Sequence, residues 1–339
     1  MLDLLKRNAF VAGVFLAMAA GFAAGPHAAV LNLGGATSRS AVVILFLITG
    51  LTLRTDRILH DLSNPRLHLF LQAYIFVVFP LYFLTAVPLF GTLLDGSLLV
   101  GFFALAVLPT TVGSCVVFTH AVRGNTAAAV FNSALANMAG VLVSPLLLSL
   151  LLSGSRRVLP SVDLGATLQG LVTGMLLPML AGQILRRVLA DRIDAHRRSL
   201  SSTMSVFLLV VVFFAFARTA ENPDFAANLR VLPLPLVYLA FSHLLLVTLA
   251  HYASGWLGFK PADRLAVLFV APQKTLAMGA PMLILCFPDP AVLGIVLLPL
   301  LFYHPFQLLT AGILKSMPFV RRLEHEALEA EPRLHPNGT

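Results

Sequence analysis

Two short stretches, each opened by a proline inside an apolar run, carry the side chains best suited to hold a ligand away from water: Pro109-Thr110-Thr111-Val112-Gly113-Ser114 and Pro272-Gln273-Lys274-Thr275. A proline lacks the N–H that a helix requires and disfavours helical geometry at the residue before it, so each stretch predicts a broken helix with freed carbonyls. Hydroxyls, amide oxygens and freed carbonyls are the donors that hard cations use, which makes sodium a chemically sensible ligand. Asn125 follows the first stretch, and Asn132, Ser133 and Asn137 come next in the sequence FNSALAN. Gln72 in an earlier apolar run, and Tyr303, His304 and Gln307 in a later one, are further candidates for lining the same cavity. The competing explanation for any one of these side chains is helix-to-helix hydrogen bonding. Their concentration around two breaks favours a substrate or ion site made of Thr110, Thr111, Ser114, Asn132, Ser133, Asn137, Gln273, Lys274 and Thr275, with Gln72 and His304 beside it.

Catalytic chemistry finds no such support. None of the 15 Asp and Glu residues falls inside an apolar run, so the paired carboxylates of an intramembrane aspartyl protease and the carriers of a carboxylate proton relay are missing. HExxH, GxSxG, a Walker loop and a dinucleotide-binding GxGxxG are missing too, and the chain reads as a non-enzyme. His68, His120, His243, His251 and His304 show no metal-ligand spacing and read as interfacial or hydrogen-bonded; His243 and His251, two turns apart, can share a helix face. Cys115 and Cys286 form no CxxC pair and no disulfide framework. No cofactor is implied other than a sodium ion.

Residues of this kind need a membrane around them. Of the 339 residues 58% are apolar and 11% charged, and the mean hydropathy is +0.89. In water such a chain would expose a sticky surface, so the bilayer is its solvent. The pI of about 10.1 does not indicate nucleic acid, because the cations lie in short groups between apolar runs. Cutting at charged and Gly/Pro-rich gaps leaves ten candidate spans: 9–25, 40–53, 67–90, 98–122, 127–152, 164–185, 200–217, 232–257, 265–287 and 291–314. The second must borrow flanking residues, and the fourth and ninth are interrupted by Pro109 and Pro272. With the amino terminus inside, 17 of the 23 Lys and Arg are cytoplasmic and 5 are outside, leaving Lys274 alone within a span. This bias predicts an even number of crossings with both termini cytoplasmic, in a multi-pass protein of a bacterial-type cell inner membrane. The first span reads as retained rather than as a signal peptide. The tail reads as solvated and partly helical, where the Asn337-Gly338-Thr339 sequon never meets its enzyme.

The polar gap SGSRRVLPSVD divides the chain into residues 1–152, a linker at 153–163, residues 164–316 and a tail at 317–339. Five crossings per half force opposite orientations. The fold class is therefore an all-α polytopic membrane protein of ten transmembrane helices in two inverted five-helix repeats, with the breaks at equivalent places in the fourth and ninth helices, as in secondary transporters.

Four stretches, LITGLTLRTDRILHDL, LPTTVGSCVVFTHAVRGNTAAAVFNSALANMAGVLVSPLL, APQKTLAMGAPM and LPLLFYHPFQL, resemble the bile acid:sodium symporter family, specifically its SBF-like branch, over about residues 10–315. The resemblance implies a panel domain of spans one, two, six and seven, a core domain of the rest, and crossing helices beside sodium sites. It also implies Ser114, Ser133 and Gln273 as sodium ligands. The chain departs from the family pattern in three places: Cys115 follows Ser114 where Asn is expected, Lys274 stands where Asn is expected, and the ligand Glu falls on Phe269.

The function implied is secondary transport of a small organic, anionic solute by alternating access, sodium symporter-like but without the anionic ligand. The alternative is a non-transporting membrane regulator of calcium homeostasis, which the branch also suggests. An ammonium near the bilayer midplane costs about 2.5 to 3.5 kcal/mol on insertion scales. Lys274 is therefore expected to face protein with backbone carbonyls, Asn or Thr as partners, and to replace a soluble sodium ion.

Overall fold

The computed structural model describes residues 9–53, 64–90, 96–154, 169–219, 232–287 and 290–330. Lys6, Arg7, residues 155–163 of the linker and the tail beyond 330 with Asn337 lie outside the described residues. Every regular element among them is helical. Six helices are long and apolar enough to cross a membrane, and shorter apolar helices accompany them.

In chain order the helices are α1 (Ala9–Ala24), α2 (Ala36–Thr52), α3 (Pro65–Phe90), α4 (Gly96–Val107), α5 (Gly113–Ala121) and α6 (Thr126–Gly154). They continue as α7 (Gln169–Ala195), α8 (Arg197–Thr219), α9 (Pro233–Trp256), α10 (Pro261–Val270), α11 (Leu276–Cys286), α12 (Pro290–Leu314) and α13 (Pro318–Ala330). The second apolar run gains its length by starting at Ala36, and the sixth continues beyond residue 185 to Ala195. Prolines at or next to the first helical position start α3, α9, α10, α12 and α13, where the missing N–H has no intrahelical acceptor to lose.

Helix α1 packs along α8, and α2 along α7. Glycines let the second pair approach closely: a Cβ at Gly50 would meet the carbonyl of Met179, and one at Gly182 the carbonyl of Leu47. Small residues at such contacts are how helices associate where lipid removes the hydrophobic drive. Helices α4, α10 and α11 form the centre, with α4 buried from Ser97 to Val107. Leu69, Val188 and Trp256 are exposed on outer helices, as a lipid-facing surface requires.

At one end of the molecule three helix starts converge on one carboxylate. Asn64 caps α3 by accepting from Leu67 N–H at 3.2 Å, and Asn125 caps α6 by accepting from Ala128 N–H at 2.9 Å. Their amides donate to Asp263, in the first turn of α10, at 3.1 and 2.7 Å. The positive ends of three helix dipoles thus share one buried anion. The tail is less solvated than its composition suggests. Helix α13 is amphipathic, buries Val320, Leu323 and Ala327 against α10, and places Glu324 3.7 Å from Arg123.

Candidate functional site

The two prolines break their helices as the sequence predicts. Helix α4 ends at Val107 and α5 begins at Gly113; α10 ends at Val270 and α11 begins at Leu276. The unwound segments cross in contact, with Thr275 N–H donating to Pro109 O at 2.9 Å and the Thr110 hydroxyl to Val270 O at 2.7 Å. A buried carbonyl without a partner costs free energy comparable to a lost hydrogen bond, so each freed oxygen needs a donor. Side chains from neighbouring helices supply them. Ser144 donates to Val107 O at 2.7 Å, Asn137 to Thr110 O at 2.7 Å, and the Tyr303 hydroxyl to Pro272 O at 2.8 Å. Gln307 brackets Lys274, accepting from its N–H and donating to its carbonyl, both at 2.7 Å. His304 Nδ1 lies 3.4 Å from that carbonyl and 3.0 Å from Gln307 Nε2.

Lys274 is fully buried, and its ammonium donates to Ile75 O at 3.0 Å and to Ala106 O and Leu108 O at 2.8 Å each. The Phe79 ring lies below it, 4.0 Å from Nζ to the centroid. All three acceptors are free for a reason that lies in the sequence. Ala106 and Leu108 belong to the end of α4, where the helix leaves its last carbonyls unpaired and its dipole is negative. In α3 the turns at Tyr74–Val78 widen to the π register, so that Phe79 N–H bonds Tyr74 O. In that register Ile75 O would take the N–H of residue 80, and residue 80 is a proline with none. The cage is thus backbone throughout. Among the described residues no carboxylate pairs with the ammonium.

The hydroxyl and amide candidates fall into two groups. Ser114 donates to Gln273 Oε1 at 2.6 Å, Thr111 Oγ1 lies 2.9 Å from Ser114 Oγ, and Cys115 Sγ lies 3.2 Å from Thr110 Oγ1. These residues join the two breaks. Asn132, expected to share a cavity with them, is turned instead toward α3: it donates to His68 Nδ1 at 2.9 Å and accepts from Gln72 Nε2 at 3.3 Å. The Ser133 hydroxyl returns to Ala129 O of its own helix at 2.6 Å. Gln72 Oε1 is buried with no hydrogen-bond partner among the described residues. Thr275 contributes its backbone to the crossing.

A sodium ion fits this arrangement poorly. Lys274 occupies the carbonyls of Ile75, Ala106 and Leu108, the Ser114 and Ser133 hydroxyls are bonded to Gln273 Oε1 and Ala129 O, and where the resemblance implies a carboxylate Phe269 stacks on Phe118 with centroids 5.8 Å apart. Backbone carbonyls were expected around Lys274, and the structure supplies them. Sequence reasoning did not say which ones, and it missed the His243–Tyr303–Thr310 chain beside them; Pro80 and the TyrHisPro stretch at 303–305 were the available signals.

The sequence matches the profile of the SBF-like CPA transporter family over residues 8–318. It is 33% identical over 331 residues to the sodium/bile acid cotransporter 7-A of Xenopus laevis, covering 93% of this chain and 92% of that one. The sodium/bile acid cotransporter 7 of Rattus norvegicus is 32% identical over 327 residues, with 93% of each chain covered. An uncharacterized protein of Pseudomonas aeruginosa is 31% identical over 293 residues, covering 85% and 86%.

Proposed function

The chain belongs to the SBF-like CPA transporter family and is a membrane transporter rather than an enzyme, and from that premise we propose that it moves a small organic anion by alternating access, with the Lys274 ammonium in place of a coupling sodium ion. The crossing of two unwound segments, bonded to each other and with the freed carbonyls of Val107, Thr110 and Pro272 engaged from neighbouring helices, carries this reading. Backbone of that kind is tolerated within a membrane only where it is packed in protein or lines a cavity, and in transporters it marks the binding site. The relatives' name, sodium/bile acid cotransporter, supports the anionic class.

Each residue then has a role. Helices α5 and α11 start at the crossing, so two positive dipole ends meet there, and Gly113 at the start of α5 is exposed with open space around it. An anion approaching Gly113 meets Thr111, Ser114 and Gln273. Lys274 gives all its N–H bonds to carbonyls, so it serves as a fixed charge and a tie between α3, α4 and the second break. The pairing of α1 with α8 and of α2 with α7 is the match expected of a panel in which residues 1–152 and 164–316 form inverted repeats beside a core. The cation bias supports a reading with both termini in the cytoplasm of a cell whose inner membrane holds the chain.

The test is a thermal-shift screen of organic anions on the purified protein, with and without sodium, followed by counterflow of the stabilising anion in proteoliposomes. Saturable counterflow without sodium is expected. An anion that binds but shows no counterflow overturns transport in favour of a regulator.

A further inference from the structure

The geometry points to His243 of α9 as a proton-binding site wired to the second break; resting on the transporter reading above, this makes the proton the coupling ligand. The ring is buried, 1% exposed, with Nδ1 2.8 Å from the Tyr303 hydroxyl and Nε2 2.7 Å from the Thr310 hydroxyl. Tyr303 gives its proton to Pro272 O, so toward the ring it accepts, and Nδ1 carries hydrogen. Thr310 has a choice: besides Nε2, its oxygen lies 3.1 Å from Phe306 O and 3.0 Å from Gln307 O. When the ring holds one proton, Thr310 donates to Nε2. When a second proton forms an N–H bond at Nε2, the ring donates to Thr310, whose hydroxyl turns to the helix carbonyls. Both protonation states leave every donor and acceptor paired with no heavy atom moved, and release is the reverse of uptake.

The connections give that proton an effect. Tyr303 caps Pro272, and Gln307, whose carbonyl receives the Thr310 hydroxyl, holds Lys274 by both backbone groups. From α12 the ring meets Tyr303, Phe306 and Thr310. Tyr74 and Tyr82 of α3 bond to Leu246 and Ser242 on α9, and Asp263 and Arg264 stand at the far end of α10, Asp263 with Asn64 and Asn125. His304 is turned to Lys274 O and Gln307. The break contributes the Lys274 ammonium, and among the described residues no carboxylate faces the ring. A cation buried in a dry site is held better once the break loosens and water enters. Protons therefore favour the open state, and falling pH weakens the closed break.

Hydrogen exchange of the full-length protein in nanodiscs, read on the peptide amides of residues 273–275 from pH 8 to pH 5.5 and corrected for intrinsic rates, tests this without any transport substrate. Protection in the wild type is expected to fall by about tenfold toward acid, the loss of roughly one hydrogen-bond's worth of closure. His243→Gln, which bonds but cannot titrate, should flatten the profile, and His251→Gln, two turns along α9, should leave it unchanged. Thr310→Val, which leaves the ring but removes its second acceptor, should also flatten it and serves if His243→Gln fails to fold. A flat wild-type profile, an unaltered profile in both variants, or a response that vanishes only in His304→Gln overturns the assignment. A pH-responsive break in a protein without counterflow would keep the proton site and remove the transporter reading.

Discussion

Replacing Lys274 with alanine should turn a self-contained cage into a cation-binding one. The substitution removes three charge-assisted bonds of 2.8 to 3.0 Å and the contact with Phe79. Two terms oppose each other. Relief from burying an ammonium returns about 2.5 to 3.5 kcal/mol. Three carbonyls left without donors cost about 1 to 3 kcal/mol each, so the net loss centres on roughly 3 kcal/mol. A cation entering the vacated space restores the lost interactions, and at about 100 times its Kd it would return roughly 2.7 kcal/mol. Thermal unfolding should therefore show the variant several degrees below the wild type in choline chloride and largely recovered in sodium or methylammonium chloride. The wild type should not respond to either. In proteoliposomes the wild type should be independent of sodium or only weakly dependent on it, and Lys274→Asn should either stop transport or make it sodium-responsive. Strict sodium dependence of the wild type, together with full activity of Lys274→Ala, would refute the reasoning.

Asp263→Ala should orphan the Asn64 and Asn125 amides and weaken two helix caps, lowering stability by about 2 to 3 kcal/mol in denaturant or thermal titrations; Asp263→Asn should cost less. Gly182→Leu would drive a side chain into the Leu47 carbonyl, and loss of the monodisperse peak in fluorescence-detected size exclusion is expected. Ser114→Ala removes the 2.6 Å bond to Gln273, worth about 1 kcal/mol. The protein should stay folded while counterflow of the screened anion slows several-fold.

The breaks were legible in the sequence because Pro109 and Pro272 are each followed by a run of polar residues; proline alone does not suffice, since Pro145, Pro281, Pro299 and Pro305 lie inside continuous helices. Ser144 and Tyr303, which satisfy the freed carbonyls, gave weaker signals because each depends on which helix lies opposite. That Lys274 would bond backbone carbonyls followed from the cost of burying its charge, but which carbonyls these are was not legible. Ile75, Ala106 and Leu108 contribute only backbone, and their side chains say nothing of a cation. Asn132 was expected beside the breaks, and its amide bonds His68 and Gln72. Five residues separate it from Asn137, which is roughly 140° around a helix, so the two face different neighbours. The Asp263 junction needs three partners from distant parts of the chain, and no local pattern announces that.

That junction also sets an order of assembly. Asn64 and Asn125 emerge from the ribosome 199 and 138 residues ahead of Asp263. At 5 to 20 residues per second, Asn64 waits about 10 to 40 s for its carboxylate. During that interval the starts of α3 and α6 lack the anion that later joins them. Synthesis past residue 263 closes that window: the pairs of α1 with α8 and α2 with α7 lie wholly upstream, and the arrival of one aspartate then joins the starts of α3, α6 and α10.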